Sequence, residues 1–188
     1  MTSGTDADGL LIERSARGQP EAFVVVVERH EVAVHGFLTR RVGREAADDL
    51  LAEVWLRAFA GRAGYDPGHG DARPWLYGIA RNVLRAHWRV SARQVHGAVS
   101  PTVDPWDDVI ERLDSAADLR ALTPALRALP AAEREVLLLV AWEQLTPAEA
   151  AAVVGVPQGT ARSRLHRARA ALRLALARTA ADCAEEAT

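Results

Sequence analysis

Apolar residues recur three or four positions apart along most of this chain, a spacing typical of amphipathic α-helices. The pattern predicts helices over 10–17, from Pro20 to about 42, over 45–59, over 74–93, near Ala121, from Pro130 to Trp142, and two more between 146 and 178. No segment alternates with the two-residue period of a half-buried strand. The pattern therefore predicts an all-α protein, with a loop rich in Gly and Pro at 61–73 and a weakly periodic linker from about 95.

The last two predicted helices have the spacing of a helix-turn-helix. Thr146 and Glu149 form a T-x-x-E capping box ahead of an Ala-rich run, and Gly155 and Pro157 end that helix. The next helix carries six Arg and no acid between residues 158 and 178. Its apolar seam consists of Ala161, Leu165, Ala168, Leu172 and Leu176. The pattern favours a nucleic-acid-binding hairpin, although an ordinary αα-hairpin with a solvated arginine face would share it.

Charge is segregated along the chain. The formal net charge is −2 and all 23 basic residues are Arg. Residues 73–93 contain five Arg and no acid, whereas residues 100–120 contain six acids and two Arg. The overall charge therefore says little about partners, and the local blocks indicate one basic helix followed by an acidic linker.

A second candidate nucleic-acid surface lies on the helix predicted over 74–93. One face of that helix, opposite its apolar seam, carries Trp75, Gly78, Asn82, Arg85 and Arg89. Aromatic rings stack on unpaired bases, amides bond base edges, and guanidinium groups hold phosphates. A core Trp beside a solvated basic face is an equally good interpretation of Trp75 alone. The loop at 61–73 could wrap an extruded base or simply connect two helices.

Several functions are disfavoured by what the sequence lacks. Cys183 is the single cysteine, which excludes an intramolecular disulfide and disfavours a zinc site. The six His show no ligand spacing, and His30 on an apolar seam is interpreted as a core or boundary residue. There is no nucleophile–base constellation, and no apolar run of membrane length. We expect no enzymatic activity, no metal or cofactor, and a soluble, cytoplasmic chain.

Three segments resemble, in order, motifs of the extracytoplasmic-function (ECF) class of the sigma-70 family. They are ADDLLAEVWLRAF at 47–59, WLYGIARN at 75–82 and GVPQGTARSRLHRAR at 155–169. The resemblance departs from the family pattern at Ala52, where Gln is usual, at Ala161, where a β-branched residue is usual, and at Gln19, where Asp is common.

The resemblance implies two helical domains joined by a flexible linker. Residues 1–9 would be a disordered N-terminus and 10–94 would be sigma domain 2. The acidic linker would span 95–121, sigma domain 4 would span 122–178, and a tail would follow at 179–188.

The resemblance also implies a role for individual residues. The core-polymerase contacts would be Asp48, Asp49, Leu50, Glu53 and Val54. The −10 DNA contacts would be Tyr65, Arg73, Trp75, Arg81, Asn82, Arg85 and Arg89. The −35 DNA contacts would be Thr160, Arg162, Ser163, Arg164 and Arg167.

By this resemblance the chain binds core RNA polymerase through the β′ clamp helices and the β subunit. It would bind promoter DNA as duplex at −35 and as single strand at −10, and an anti-sigma factor would control it. Two alternatives stay open: a conventional helix-turn-helix regulator with a helical sensor domain, and a sigma mimic that sequesters an anti-sigma factor. The motifs at 47–59 and 75–82 have no place in a sensor domain, and the arginine helix has none in a mimic.

Overall fold

The computed structural model describes residues 7–67, 71–96 and 122–186. The chain divides into two compact units, Met1–Gly97 and Ala98–Thr188. Most of the expected linker, and residues 1–6 of the expected disordered N-terminus, lie outside the described residues. Every element in the described ranges is helical, as the periodicity predicts.

The N-terminal unit contains four α-helices and a short 3₁₀ turn. They are α1 (Asp8–Ala16), α2 (Ala22–Val42), α3 (Arg44–Gly61), the turn η1 (Arg62–Gly64) and α4 (Arg73–His96). Helix α2 packs against α1, α3 and α4, and α1 also contacts η1. Gly43 has φ +80° between α2 and α3, a backbone conformation that favours glycine and permits the abrupt change of direction.

One core holds the N-terminal unit together. Its fully buried side chains include Leu11, Ile12, Val26, Val34, Phe37, Leu38, Val54, Ala58, Leu76, Ala80 and Leu84. Tyr77 of α4 stacks on Phe37 of α2, with ring centroids 4.8 Å apart. The apolar seams of α2 and α4 therefore face each other, which leaves the basic face of α4 on the outside.

The C-terminal unit contains α5 (Thr123–Ala128), α6 (Ala131–Ala141), α7 (Pro147–Val154) and α8 (Gln158–Glu186). The predicted capping box is present: Glu149 N donates to Thr146 Oγ1, and Thr146 N donates to Glu149 Oε2. Gly155 ends α7 in the left-handed region with φ +72°. Helix α6 packs against both α7 and α8. The predicted helix-turn-helix is thus supported from beneath by α6.

Two boundaries in the structure differ from the expected ones. Asp8 and Gly9 lie in α1 and not in a disordered terminus, because the Asp8 carboxylate bonds groups of α2 and of the residue before α4. Helix α8 continues to Glu186, through most of the expected tail. Alanine is frequent there, and alanine has the highest helix propensity. Within the described ranges, no helix combines the length and the apolar character that crossing a membrane requires.

Candidate nucleic-acid and polymerase interfaces

Helix α4 presents a basic polar face to solvent. Asn82, Arg85 and Arg89 are exposed, while the opposite side of the helix is buried in the core. Arg89 Nε donates to Arg85 O at 3.2 Å, so its guanidinium lies along the helix. The predicted neighbours Arg73 and Arg81 are half-buried at the edges of this face. The face offers amide and guanidinium donors at a spacing of one helical turn, which suits a nucleic-acid backbone.

The two aromatic residues predicted for this surface form one pair. The Trp75 and Tyr65 ring centroids lie 5.0 Å apart, with the planes at 61°. Tyr65 is 9% exposed, whereas Trp75 is half-buried. Trp75 is therefore neither a core residue nor a free ring. Tyr65 packs against the indole in an edge-to-face arrangement, and part of the indole stays accessible for stacking.

Acidic side chains hold the start of α4. The Arg73 backbone N–H and Arg73 Nε donate to the two carboxylate oxygens of Asp71, each at 2.8 Å. The Ala72 N–H donates to Asp8 Oδ2 at 3.2 Å. Two backbone donors at the beginning of α4 thus have carboxylate acceptors, which also complement the positive end of the helix dipole.

The acids around this point shift the pKa of their neighbours. Burial raises the pKa of Tyr65, and the charges of Asp8, Asp71 and Asp66 raise it further. Burial would also raise the pKa of Asp8, but hydrogen bonds from Arg29, His30 and Ala72 outweigh it and hold that pKa below its usual value. Tyr65 is therefore neutral and Asp8 charged at neutral pH.

His30 is buried, as its position on an apolar seam predicts, but it has acidic neighbours that the sequence does not reveal. Ligand-type atoms of Asp8, His30 and Asp71 lie within 4.8 Å of one another. His30 Nε2 lies 2.6 Å from Asp8 Oδ2, and Arg29 Nη1 donates to Asp8 Oδ1 at 2.9 Å. Arg73 neutralises Asp71. Because arginines and a backbone N–H already bond these carboxylates, the cluster is best described as an ion-pair network.

Helix α8 carries the predicted −35 residues on its outer side. Arg162 and Ser163 are exposed, while Thr160 and Arg164 are half-buried. Arg167 is exposed but engaged, because its Nε donates to Glu133 Oε1 of α6 at 2.6 Å. All five residues are thus exposed or half-buried, and Arg167 also has an acidic partner.

His166 belongs to the same surface, although it is not among the residues predicted from the sequence. It lines a shallow pocket with a volume of about 330 Å³, together with Pro147, Arg162, Leu165, Arg169 and Arg173. Its spacing could have identified it, since His166 lies one helical turn after Arg162 and three residues before Arg169.

Helix α3 presents acidic and apolar side chains together. Asp49 is exposed, Leu50 is half-buried, Glu53 pairs with Arg57 at 2.6 Å, and His35 Nε2 lies 2.7 Å from Asp48 Oδ1. The prediction for Val54 is wrong, because its side chain is fully buried in the core and cannot touch a partner. Leu56, which lies one helical turn after Glu53, is 68% exposed. The spacing Asp49, Glu53, Leu56 follows one helical stripe and could have indicated it.

Comparison with known proteins assigns both units. Residues 26–94 match the family model for sigma-70 region 2, and residues 119–172 match the model for sigma-70 region 4. The ECF RNA polymerase sigma factor SigC of Mycobacterium tuberculosis is 32% identical over 170 residues, which cover 90% of this chain and 91% of that protein. The chain belongs to the ECF sigma factors of the sigma-70 family. It is an RNA polymerase sigma factor, the type of subunit that directs core polymerase to promoters.

Other relatives agree with this assignment. The ECF sigma factor EcfG of Rhodopseudomonas palustris is 35% identical over 131 residues, which cover 68% of this sigma factor and 70% of EcfG. BldN of Streptomyces coelicolor is 30% identical, with 84% of this chain aligned to 61% of BldN.

Two solved structures have the same fold. CnrH in complex with the cytosolic domain of CnrY has a TM-score of 0.62 and 28% identity, covering 91% of this sigma factor and 97% of CnrH. The sigma factor RpoE of Bartonella quintana, in complex with the anti-sigma factor NepR, has a TM-score of 0.59 and 25% identity, covering 82% and 96% of the respective chains.

Proposed function

We propose that the two units divide promoter recognition between them. Residues 10–94 act as sigma domain 2, which binds polymerase and captures the −10 element as a single strand. Residues 122–178 act as sigma domain 4, which reads the −35 element as duplex. The observation that carries the proposal is the α4 face, where the Tyr65-supported indole of Trp75 lies beside exposed Asn82 and Arg85.

The capture of single-stranded DNA follows from the chemistry of this face. The accessible part of Trp75 offers a stacking platform for an unpaired base. Asn82 can exchange hydrogen bonds with a base edge, and Arg85 and Arg89 can neutralise the phosphates that follow. A duplex hides its bases in the stack, so a stacking site of this kind favours melted DNA.

Duplex recognition is assigned to α8. Arg162, Ser163 and Arg164 lie near the beginning of this helix, the part that enters the major groove in helix-turn-helix proteins. Thr160 lies one turn earlier than Arg164, and His166 lines the adjoining concave surface. Arg167 already donates its Nε to Glu133, and its remaining guanidinium donors can bond a phosphate, so we assign it a role in positioning on the DNA backbone.

Polymerase binding is assigned to the exposed stripe of α3. Asp48, Asp49 and Glu53 supply negative charge, and the half-buried Leu50 and exposed Leu56 supply apolar area. Such a mixed surface suits the β′ clamp helices if they present basic residues around an apolar centre. The side chain of Val54 supports the stripe from inside the core.

The neighbouring structures suggest control in trans. RpoE was solved in complex with the anti-sigma factor NepR. We propose that an anti-sigma factor likewise binds this chain, which acts in the cytoplasm together with polymerase and catalyses no reaction of its own. An anti-sigma factor that covers the acidic stripe of α3 or the basic helix α8 would prevent polymerase or DNA binding.

The proposed −10 role is tested with a Trp75→Ala/Asn82→Ala double variant. Stacking of one base contributes on the order of 1–3 kcal/mol, so we expect promoter melting by the holoenzyme to fall about ten-fold or more. The affinity for core polymerase should stay unchanged, because neither residue lies on α3. Permanganate reactivity of promoter thymines measures melting, and a fluorescence titration measures polymerase binding.

The control is Val90→Ala, an exposed apolar residue on the same helix but outside the proposed face. It should leave both quantities unchanged. Loss of both activities in the double variant would mean that Trp75 and Asn82 serve the fold and not DNA capture.

A conventional regulator makes the opposite prediction for the free chain. A dimeric helix-turn-helix regulator binds duplex operators tightly by itself. We expect the free sigma factor to shift duplex promoter DNA weakly and with strong salt dependence, and core polymerase to be required for sequence-specific binding.

A further inference from the structure

The first residues of α1 lie against both sides of the connection between η1 and α4. On one side, a Cβ added to Gly9 would lie 3.1 Å from the Cα of Pro67. On the other side, the Ala72 N–H donates to the carboxylate of Asp8 at 3.2 Å. A short stretch of α1 thus touches residues 65–67 through Pro67 and residues 71–72 through Ala72.

The carboxylate of Asp8 is itself firmly held. Only 10% of its side chain is exposed, and α2 contacts both of its oxygens. Arg29 donates to Oδ1 at 2.9 Å, and His30 Nε2 lies 2.6 Å from Oδ2. Because both of its partners on α2 are fixed, the Asp8 side chain keeps little rotational freedom. Its bond to Ala72 therefore holds the start of α4 in place relative to the core of the unit.

This bond satisfies a specific need of α4. The first N–H groups of a helix have no partner within the helix. At the start of α4 the Ala72 N–H bonds Asp8, the Arg73 N–H bonds Asp71, and Pro74 has no N–H. The side chain of Asp8 therefore caps the beginning of α4, although Asp8 lies 64 residues before Ala72 in the chain.

The capped turn contains the proposed DNA-stacking residue. Trp75 is the third residue of α4, and Tyr65, from the other side of the connection, packs against its ring at 5.0 Å. The contacts that α1 makes with Pro67 and Ala72 therefore flank both members of the aromatic pair. The match to sigma-70 region 2 begins at residue 26, so Asp8 and Gly9 lie outside the matched segment.

We propose that Asp8 is a positioning residue for capture of the −10 strand. It fixes the first turn of α4, and with it the orientation of Trp75, before DNA arrives. Gly9 serves the same purpose by letting α1 approach Pro67 closely. The inference rests on the proposed function of the α4 face, and it assigns the beginning of α1 to DNA capture and not to polymerase binding.

The test compares Asp8→Ala with Asp8→Asn in the reconstituted holoenzyme. The probe is a fluorescent single-stranded oligonucleotide that carries the non-template −10 sequence. Removing a hydrogen bond to a charged group frees the first turn of α4, so Asp8→Ala should weaken oligonucleotide binding about ten-fold. Asp8→Asn keeps an oxygen for the Ala72 N–H and should recover part of the loss.

Two further measurements separate positioning from general stability. The affinity for core polymerase should change by less than about two-fold in both Asp8 variants, as for a substitution remote from that interface. Hydrogen exchange in Asp8→Ala should accelerate at the amides of Ala72 and Arg73, while the amides of α3 keep their protection. The matched control is Glu13→Gln, which removes a carboxylate of the same helix that pairs with Arg17 one turn later.

Gly9→Ala tests the same idea without removing a charge. The added Cβ would approach the Pro67 backbone to 3.1 Å, so Pro67 must move. We expect weaker oligonucleotide binding with unchanged polymerase affinity. If Asp8→Ala does not fold, Asp8→Asn and Gly9→Ala decide the question by themselves.

Each outcome has a distinct meaning. Equal loss of oligonucleotide and polymerase binding in the Asp8 variants would overturn the inference, as would unchanged oligonucleotide binding in every variant. Trp75→Ala, measured alongside, tests the proposed function itself. If Trp75→Ala binds the oligonucleotide normally, the assignment of the α4 face fails. If Trp75→Ala is impaired and the Asp8 and Gly9 variants are not, the positioning role of Asp8 alone fails.

Discussion

Arg134 shows how a charged side chain can serve the fold and not DNA. The residue is 2% exposed, and its Nη1 donates to the carbonyl oxygens of Leu126 and Arg127 at the end of α5. Burial lowers its pKa. Replacing Arg134 by Ala would leave two carbonyls without this donor and a cavity behind them, so we expect a loss of about 3 kcal/mol in the free energy of unfolding. Urea denaturation followed by circular dichroism measures it.

Arg173→Ala is the control, because Arg173 is exposed on α8 and its removal should change stability by less than about 0.5 kcal/mol. Equal stability of the two variants would show that Arg134 contributes no more than a surface arginine. A small effect of Arg134→Met with a large effect of Arg134→Ala would assign the stability to packing of the aliphatic stem.

At the residue scale, the sequence predicts contacts that are local and misses those that are not. The capping box of Thr146 and Glu149 spans three residues, and both of its bonds are present. The pairing of Asp8 with His30 joins positions 22 residues apart on different helices, and helical periodicity carries no information about it. The same reasoning explains Val54: the period indicates a stripe on α3, and only packing decides which side of the stripe faces inward.

At the element scale, an ion pair between α6 and α8 restrains Arg167, a residue that we assign to DNA binding. Glu133 is 14% exposed and holds Arg167 at 2.6 Å. Glu133→Gln removes a negative charge near the DNA surface and releases the guanidinium for a phosphate. We expect the holoenzyme to bind −35 duplex about three-fold more tightly at low salt, with the slope of log K against log salt steeper by about one. A salt titration with labelled duplex measures both.

Glu31→Gln is the charge-matched control, since Glu31 is exposed on α2 of the other unit. It changes the net charge equally and should leave the salt slope unaltered. Weaker binding by Glu133→Gln would indicate the reverse role, in which Glu133 holds Arg167 in the orientation that DNA requires.

The helices themselves follow closely from the sequence, because apolar spacing and terminal signals are properties of each segment alone. The third helix, predicted over 45–59, is Arg44–Gly61, and the fourth, predicted over 74–93, is Arg73–His96. The larger difference is at the end of α8. Residues 177–186 contain no Gly or Pro that would end a helix, so the pattern marks no clear end before Glu186.

At the scale of the whole molecule, each unit has its own core and its own candidate DNA surface. Trp75 belongs to Met1–Gly97, and Arg162 belongs to Ala98–Thr188. The sequence predicts such a division, since the motifs at 47–59 and 75–82 lie in the first unit and the motif at 155–169 lies in the second. If polymerase holds both units on one promoter, the free energies of the two DNA contacts should add, because residues in different cores share no partners.

The double variant Trp75→Ala/Arg162→Ala tests this additivity in open-complex formation. Each single variant should lower the yield about ten-fold, the loss typical of one stacking or one base-reading residue. The double variant should lower it by the product of the two, within about two-fold. On a promoter with a scrambled −35 element, the effect of Arg162→Ala should vanish while that of Trp75→Ala persists. An Arg162→Ala loss of equal size on both promoters would mean that this arginine contacts phosphates without regard to sequence.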